Sequence, residues 1–541
     1  MRRSLSIFTG LLLFFTASAQ TKLDRPKLVV SIVADQMRWD FLYRYYDRYA
    51  AGGGFKRLLS QGFSCENTSI NYTPSQTACG HASIFSGSVP AINGITGNEW
   101  WDKQAEKYVY STQDDSVTTV GSTTEFGKMS PRNMLVTTIG DELRLATNFK
   151  AKVIGLSLKD RGGILAAGHS ANAAYWYDTK TGDWITSSFY MKQLPAWVNE
   201  FNAKKLVDKY YQEGWKTLHA PDTYEQKITD GASYGNKTFG VGNHLPYDLS
   251  SFIGKRYSFI SATPHGNSFT LQMAKAAIQA EQLGADSVTD FLAVSLSSPD
   301  YIGHSYGPNS MESEDNYLRL DKDLGDFLNY LDATIGAGQY LLFLSADHGA
   351  AHVPAFMKER KIPAGNVNIE LLFTELNKLL LDKFKVANLV ADFSNYQVSL
   401  SHKAIVKGKL NETDIRKFVI DYLSKQQGIA TAFDLSALAE TTLNATIKNK
   451  ITNGYFPARS GDIQVIFQPQ WIENFELGGT THGLWNPYDA HIPLIWFGWK
   501  IPQGVSGREI SITDIAPTVA ALLHIQMPNG NVGKVIQEVI K

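Results

Sequence analysis

Seven residues of the types that bind zinc lie in short, widely separated motifs along this 541-residue chain. One of them, Thr77, offers only a hydroxyl; the others are Asp35, Asp300, His304, Asp347, His348 and His482. A catalytic zinc takes about three protein ligands and keeps one position open, so this number fits two metal ions better than one. Mixed imidazole and carboxylate ligands favour zinc over other divalent ions. The motifs therefore predict a centre with two zinc ions.

Apolar strands precede three of these motifs. Asp35 ends Leu-Val-Val-Ser-Ile-Val-Ala, Asp300 follows Phe-Leu-Ala-Val-Ser-Leu, and Asp347 follows Tyr-Leu-Leu-Phe-Leu-Ser-Ala. Strand-like runs alternate with helical patterns, which predicts an α/β fold with a mostly parallel central sheet and helices on both faces. These runs are 28–34, 152–158, 291–296, 340–345 and 491–498. Ligands bind at the carboxyl ends of such strands, so we expect the distant Asp and His residues to meet there.

The remaining pattern predicts a single domain over residues 20–541. One helix is expected to begin near Pro131, with Ser130 as its N-cap, and another to run from Ser511 through Ile-Thr-Asp-Ile-Ala-Pro-Thr-Val-Ala-Ala-Leu-Leu. Two long stretches carry no ligand motif. We interpret them, roughly 170–285 and 355–475, as insertions that form a cap beside the active site.

The N-terminus is typical of a secretory signal peptide. Met-Arg-Arg precedes the apolar run 5–15, and Thr-Ala-Ser-Ala follows it, which predicts a signal peptide over residues 1–19 with cleavage after Ala19. The apolar run is shorter than the roughly 20 residues that a membrane span needs. We therefore expect a protein secreted across the inner membrane, periplasmic and without stable membrane insertion.

Charge and cysteine content exclude some classes of protein. The formal net charge of -1 argues against non-specific binding to nucleic acid or to an anionic membrane surface. Two cysteines, Cys65 and Cys79, are too few for a disulfide framework. They form a single pair or are both buried thiols, and the sequence leaves both alternatives open. A hydrophobic content of 43% is ample for a large core.

A segment rich in small and hydroxyl residues contains the candidate nucleophile. Thr77 lies in Tyr-Thr-Pro-Ser-Gln-Thr-Ala-Cys-Gly-His, at the expected start of a short helix. Free backbone N–H groups and the helix dipole favour an anion at that position. A threonine is a poor nucleophile unless its alkoxide is stabilised, which a metal ion can do. Within this segment His81 is expected to orient the turn that carries Thr77.

Taken in order, these motifs resemble the metal-site pattern of the alkaline phosphatase superfamily. The similar branch contains the nucleotide pyrophosphatase/phosphodiesterases and the phosphatases with a threonine nucleophile. Three further residues resemble the phosphate-binding residues of exported, phosphate-insensitive bacterial alkaline phosphatases. They are Asn98 in Gly-Ile-Thr-Gly-Asn-Glu-Trp-Trp, and Lys159 and Arg161 in Ser-Leu-Lys-Asp-Arg-Gly-Gly. The resemblance extends over nearly the whole mature chain.

The resemblance implies a ligand set and a reaction. One zinc would be held by Asp300, His304 and His482; the other would be held by Asp35, Asp347 and His348, with Thr77 as fourth ligand. Thr77 would attack phosphorus and form a phosphothreonine, which water then hydrolyses to release inorganic phosphate.

Small phosphate monoesters are the expected substrates, because Lys159 and Arg161 offer cationic donors to a dianion. We expect a monomer. The alternatives are a phosphodiesterase or nucleotide pyrophosphatase of the same superfamily, and an exported zinc-binding protein without catalysis.

Overall fold

The computed structural model describes residues 23–226, 239, 245–473 and 478–540. The predicted signal peptide, residues 1–19, lies outside these described residues. Within the described ranges, no helix is both long enough and apolar enough to cross a bilayer.

The layer that carries the predicted motifs is a mixed sheet with eleven strands among the described residues. Five parallel neighbours form its middle, in the order Tyr340–Ser345, Leu28–Ala34, Asp290–Leu296, Val153–Ser157 and Ala173–Asp178. Every residue of the three strands 28–34, 290–296 and 340–345 is buried, so both faces are covered. Continuous apolar strands of this kind are typical of parallel sheets. The predicted α/β class with a mostly parallel central sheet is confirmed.

Antiparallel pairing occurs towards both sides of the sheet. One side adds Leu494–Gly498, Phe63–Ser69 and His491–Ile492 by antiparallel pairing, and Gly504–Ser511 by parallel pairing with 63–69. The other side adds Asp183–Ser187 and Thr119–Val120 by antiparallel pairing. The run predicted at 491–498 is thus two strands, and the second runs antiparallel to 340–345. The chain enters these strands directly from the short helix Pro487–Ala490, without the crossover that a parallel neighbour needs.

Helices pack around this sheet and within the second insertion. In chain order, the α-helices are Phe41–Arg44, Gly54–Gln61, Thr77–Ser86, Pro90–Asn93, Ile139–Ala146, Asp160–Ala167, Ala196–Ala203, Leu206–Glu213, His265–Ala280, Ser298–Tyr306, Met311–Leu331, Pro354–Glu359, Ile369–Phe384, His402–Lys407, Glu412–Leu423, Ala445–Gly454, Pro487–Ala490 and Ile515–Leu523. The helix predicted from Ser511 is present as a 3-10 turn, Ile512–Asp514, that continues into the helix 515–523.

The helix predicted near Pro131 is wrong. The helix in this region begins at Ile139, where Thr138 and Asp141 form a reciprocal capping box. The hydroxyl of Ser130 donates to Asp114 Oδ2 at 2.6 Å, so this residue is used in a turn instead of a helix cap. A serine before a proline has the composition of a helix start, but its long-range partner decides its conformation.

The two predicted insertions differ in structure. The first, 170–285, begins with two strands of the central sheet, Ala173–Asp178 and Asp183–Ser187, because their apolar residues extend the main core. The second, 355–475, has its own sheet, in the order Val390–Ser394, Gln397–Leu400, Ile463–Phe467 and Ile429–Asp434. It also has its own apolar cluster, which includes Leu376, Val398, Ile415 and Val465. We call residues 365–473 the cap.

The remaining strands of the described residues form two short pairs. Gly365–Val367 pairs with Trp471–Glu473 at the base of the cap, and Glu99–Asp102 pairs with Lys107–Tyr110 in a hairpin after Asn98. Cys65 and Cys79 are free and buried, so of the two alternatives the structure has buried thiols.

Candidate active site and metal centre

Four adjacent parallel strands end at the same edge of the sheet, and a predicted site residue follows each end within four positions. These residues are Asp35, Lys159, Asp300 and Asp347. The backbone N–H of Asp35 donates to the carbonyl of Leu296 at 3.0 Å, which ties two of the strand ends together. The topology therefore brings residues far apart in sequence to one crevice, as the strand pattern predicts.

The first group of candidate ligands consists of Asp300, His304 and His482, whose ligand atoms all lie within 4.8 Å of one another. Asp300 Oδ1 lies 3.1 Å from His304 Nε2 and 3.8 Å from His482 Nε2. The other ring nitrogens are occupied: His304 Nδ1 donates to Thr480 O and His482 Nδ1 to Ser75 O, each at 2.7 Å. Such backbone bonds fix the ring orientation and leave both Nε2 atoms for a metal.

The second group lies beside the first and is fully buried. Asp35, Asp300 and His348 have ligand atoms within 4.8 Å of one another, so Asp300 belongs to both groups. Asp347 Oδ2 is 3.6 Å from His348 Nε2, and His348 Nδ1 donates to the carbonyl of Gly349 at 3.0 Å. The rings of His348 and His482 stack with centroids 3.5 Å apart, which places the two groups against each other.

The residues of both groups fit divalent metal ions. Asp35 Oδ1 and Asp347 Oδ2 are buried and accept no hydrogen bond from any described residue. Buried carboxylate oxygens without a donor are costly unless a cation compensates them. Three carboxylates, and three histidines whose Nδ1 atoms are bound to backbone carbonyls, form the donor set that zinc prefers.

The pKa values of the three carboxyl groups are shifted in different directions. Burial raises the pKa of Asp35 well above its ordinary value, and the charges of Asp300 and Asp347 raise it further. Burial also acts on Asp300, but His304 and Lys159 outweigh it and hold the pKa of that carboxyl well below its usual range. The pKa of Asp347 is likewise lowered, since His348 and His81 outweigh its burial.

The pKa values of the three histidines are also shifted in different directions. Burial lowers the pKa of His348, and burial together with its histidine neighbours holds the pKa of His482 well below the ordinary value. These two rings are therefore neutral at physiological pH, the form that binds metals. In His304 the effect of burial is outweighed by Asp300, so its pKa is raised.

Thr77 is the first residue of the helix Thr77–Ser86 and is buried. Its Oγ1 lies 3.5 Å from His348 Nε2 and 3.4 Å from Lys159 Nζ. The helix approaches the Asp347 strand end closely at Gly80, where an added Cβ would lie 2.4 Å from Asp347 Cβ. His81 donates from Nδ1 to the carbonyl of Thr77 at 2.9 Å, and its Nε2 lies 2.8 Å from Ser295 Oγ. His81 thus contacts the backbone of Thr77, the residue that it is expected to orient.

The three predicted phosphate-binding residues come from two segments: Asn98 directly precedes the strand Glu99–Asp102, and Lys159 and Arg161 lie at the start of the helix Asp160–Ala167. Lys159 Nζ lies between Asp35 Oδ2, at 2.6 Å, and Asp300 Oδ2, at 2.5 Å. Asn98 Oδ1 accepts the N–H of Ala78, the residue after the candidate nucleophile, at 3.0 Å. Arg161 Nη1 donates to the hydroxyl of Tyr110 at 2.9 Å, while its buried Nε has no partner among the described residues.

Gln36 contacts two of the candidate ligands, although no sequence motif predicts it. Gln36 donates from Nε2 to Asp300 Oδ1 at 2.7 Å and from its backbone N–H to Asp347 Oδ1 at 3.1 Å. Its position directly after Asp35 is the only sequence signal for this role. His352 Nδ1 lies 2.6 Å from Asn309 Oδ1, and its Nε2 lies 3.3 Å from Arg38 Nη1.

Comparison with known proteins places this arrangement in a family. A family model described as type I phosphodiesterase / nucleotide pyrophosphatase matches residues 29–487. The chain belongs to this family. Alkaline phosphatase PhoV of Synechococcus elongatus is 53% identical over 518 residues, which covers 96% of this chain and 93% of PhoV. A Myroides odoratus protein named calcium-transporting ATPase is 51% identical over 543 residues, 99% of each chain.

Alkaline phosphatase PafA of Elizabethkingia meningoseptica is 48% identical over 530 residues, 97% of this chain and 96% of PafA. A crystal structure of PafA matches at a TM-score of 0.92 with 47% identity, over 96% of this chain and 100% of the PafA chain. Within the alkaline phosphatase superfamily, this family member is therefore of the PafA type.

Proposed function

We propose that this PafA-type protein is an exported phosphomonoesterase that holds two zinc ions and uses Thr77 as its nucleophile. The supporting observation is the position of the Thr77 hydroxyl, 3.5 Å from His348 Nε2 and 3.4 Å from Lys159 Nζ, next to the buried Asp and His cluster. A threonine with only a structural role does not need a candidate metal ligand and a buried lysine beside its hydroxyl.

The residues divide into two ligand sets. Asp300, His304 and His482 would hold one ion, and Asp35, Asp347, His348 and Thr77 would hold the other. Two bound zinc ions would supply Lewis-acid stabilisation for the attacking and leaving oxygens of an in-line displacement.

The chain itself provides the nucleophile and its surroundings. Thr77 Oγ1 loses its proton to solvent and attacks phosphorus, the bond from phosphorus to the leaving oxygen breaks, and that oxygen takes a proton from solvent. The product is a phosphothreonine at residue 77. Water then attacks this phosphorus and loses a proton, the bond from phosphorus to Thr77 Oγ1 breaks, Oγ1 takes up a proton to restore the hydroxyl, and inorganic phosphate is released. Lys159 contributes a positive charge throughout, since its carboxylate neighbours outweigh its burial and raise its pKa.

Monoesters are favoured over diesters by charge. A monoester dianion has three non-bridging oxygens, whereas a diester has two and carries one charge less. Asn98, Lys159 and Arg161 together offer an amide and two cations to those oxygens. The Arg161 guanidinium stays charged because Tyr110 and Asp160 outweigh the effect of burial and raise its pKa.

Substitution of Thr77 tests the nucleophile. Thr77→Ala should reduce p-nitrophenyl phosphate turnover to background while zinc content stays at two ions, and Thr77→Ser should retain measurable turnover. The native protein should also show a higher kcat/KM for p-nitrophenyl phosphate than for its methyl diester, which has the same leaving group. Near-native turnover by Thr77→Ala would favour direct attack by water, and metal without any turnover in the native protein would favour the zinc-binding alternative.

Export is part of the same proposal and rests on the N-terminal sequence. Intact mass and N-terminal sequencing of the protein from a periplasmic fraction should give a chain that begins at Gln20. Recovery of the full-length chain only from the cytoplasm would contradict it.

A further inference from the structure

The tip of a cap hairpin reaches the active site. The strands Val390–Ser394 and Gln397–Leu400 are joined by the two-residue turn Asn395–Tyr396. Both residues have positive φ, 52° and 60°, as the mirror-image turns of tight hairpins require. Asparagine tolerates this backbone better than most residues, so its presence at this position has a local reason. Its side chain also makes contacts that the turn does not need.

A chain of four hydrogen bonds runs from this asparagine to the nucleophile helix. Asn395 Nδ2 donates to the carbonyl of Glu99 at 2.8 Å, and Gln76 Nε2 donates to Asn395 Oδ1 at 2.9 Å. The backbone N–H of Asn98 donates to Gln76 Oε1 at 2.8 Å, and the N–H of Ala78 donates to Asn98 Oδ1 at 3.0 Å. This series of hydrogen bonds thus begins in the cap and ends at Gln76 and Ala78, the two neighbours of Thr77 in sequence.

The two ends of this chain determine the orientation of each amide in it. A backbone carbonyl at Glu99 can only accept, and the backbone N–H groups of Asn98 and Ala78 can only donate. Asn395 must therefore present its nitrogen to Glu99 and its oxygen to Gln76. Gln76 must present its oxygen to Asn98. As a result, the oxygen of the Asn98 side chain is occupied by Ala78, and its Nδ2 donor is left for another acceptor.

Close packing holds Asn395 in this place. A Cβ added at Gly97 would lie 2.6 Å from Asn395 Nδ2 and 2.7 Å from the Glu99 carbonyl. Only glycine at 97 allows the cap turn to approach this near to the loop that carries Asn98. The contact is therefore specific to these two segments.

We propose that Asn395 is a positioning residue that acts through Gln76 to hold Asn98 Nδ2 towards the transferred phosphoryl group. This inference rests on the proposed function, in which Asn98 binds a phosphoryl oxygen. It makes the cap part of the phosphate-binding apparatus. A donor held in place before substrate arrives stabilises the transition state more than one that must be ordered.

A double-mutant cycle with Asn98 tests the inference. Asn395→Gly removes the side chain and still permits the positive φ, whereas alanine would strain the backbone. We expect Asn395→Gly to lower kcat/KM for p-nitrophenyl phosphate about 3- to 10-fold and to weaken inhibition by inorganic phosphate by a similar factor, in line with the loss of one hydrogen bond. In an Asn98→Ala background the same change should cost less than about 2-fold, since Asn98 is no longer there to be positioned.

Tyr108→Phe is the matched control. The Tyr108 hydroxyl donates to Asp392 Oδ1 at 2.6 Å, so it joins the same two hairpins without touching Gln76 or Asn98. It should leave kcat/KM within about 2-fold, and all variants should retain zinc. Equal losses from Asn395→Gly in both backgrounds, or an equal loss in Tyr108→Phe, would overturn the positioning role and leave the Asn98 assignment intact. If Asn98→Ala alone costs nothing, the phosphate-binding role of Asn98 fails, and the inference fails with it.

Discussion

Arg161 is the residue at which selectivity for monoesters can be separated from metal binding. Lys159 contacts both Asp35 and Asp300, so its removal also disturbs the ligand cluster. Arg161 instead bonds to Tyr110 and touches no candidate ligand among the contacts of the described residues. Arg161→Ala should therefore lower kcat/KM for p-nitrophenyl phosphate about 10- to 100-fold, as loss of a charge-assisted contact predicts, while zinc content is unchanged.

The loss for the methyl diester with the same leaving group should be several-fold smaller, because that substrate carries one charge less. Arg360→Ala, at a side chain that is 51% exposed, is the control and should affect neither substrate. Equal losses for both substrates would show that Arg161 supports the fold and does not select the dianion.

At the scale of elements, the nucleophile helix depends on a close approach at Gly80. An added Cβ there would lie 2.4 Å from Asp347 Cβ, 2.5 Å from its carbonyl oxygen and 2.7 Å from its Cα. Since two of these are backbone atoms, the helix or the strand end must move. Gly80→Ala should lower stability by about 1–3 kcal/mol and separate Thr77 from the ligands on that strand end, which would lower kcat at least about 10-fold.

Gly52→Ala is the matched control, because an added Cβ at this position would meet no atom within 4 Å. Thermal unfolding and kcat of both variants decide the outcome. A Gly80→Ala protein with native kcat would contradict the need for this approach.

The same elements explain which site residues the sequence could predict. Asp35, Asp300 and Asp347 follow strongly apolar strands, and parallel strands bring their carboxyl ends together whatever the intervening chain does. No comparable sequence pattern marks Gln36 or Asn395 as a site residue. Their partners lie 264 and 319 positions away, and only the assembled fold brings them together. The helix start predicted at Ser130 is wrong for the same reason, since its partner Asp114, 16 positions away, decides its conformation.

At the scale of the whole molecule, the sequence predicts two regions without ligand motifs. It does not predict how these regions connect to the central sheet. Strands at 173–187 extend the central sheet, whereas the cap builds a separate apolar cluster. The cap nevertheless contacts both sides of the active site. Besides Asn395, the hydroxyl of Tyr396 donates to the carbonyl of His482 at 3.0 Å. We infer that docking of the cap and geometry of the catalytic crevice are coupled.

Substitution of Arg459, a cap residue outside the crevice, tests this coupling most directly. Its Nη1 donates to the carbonyls of Gly94 and Asn133 at 2.6 Å and 2.7 Å, and its guanidinium lies 4.9 Å from the ring centroid of Trp100. Burial lowers the pKa of this group, while the two carbonyls and the ring lie against its guanidinium. Arg459→Lys keeps the charge but loses the planar fork and the stacking. It should cost about 1–3 kcal/mol in urea unfolding and raise KM for p-nitrophenyl phosphate, because the carbonyl of Gly94 precedes the Asn98 loop. The exposed Arg360→Lys should change neither quantity. Loss of stability with unchanged KM would show that the cap is docked by Arg459 but does not shape the phosphate site.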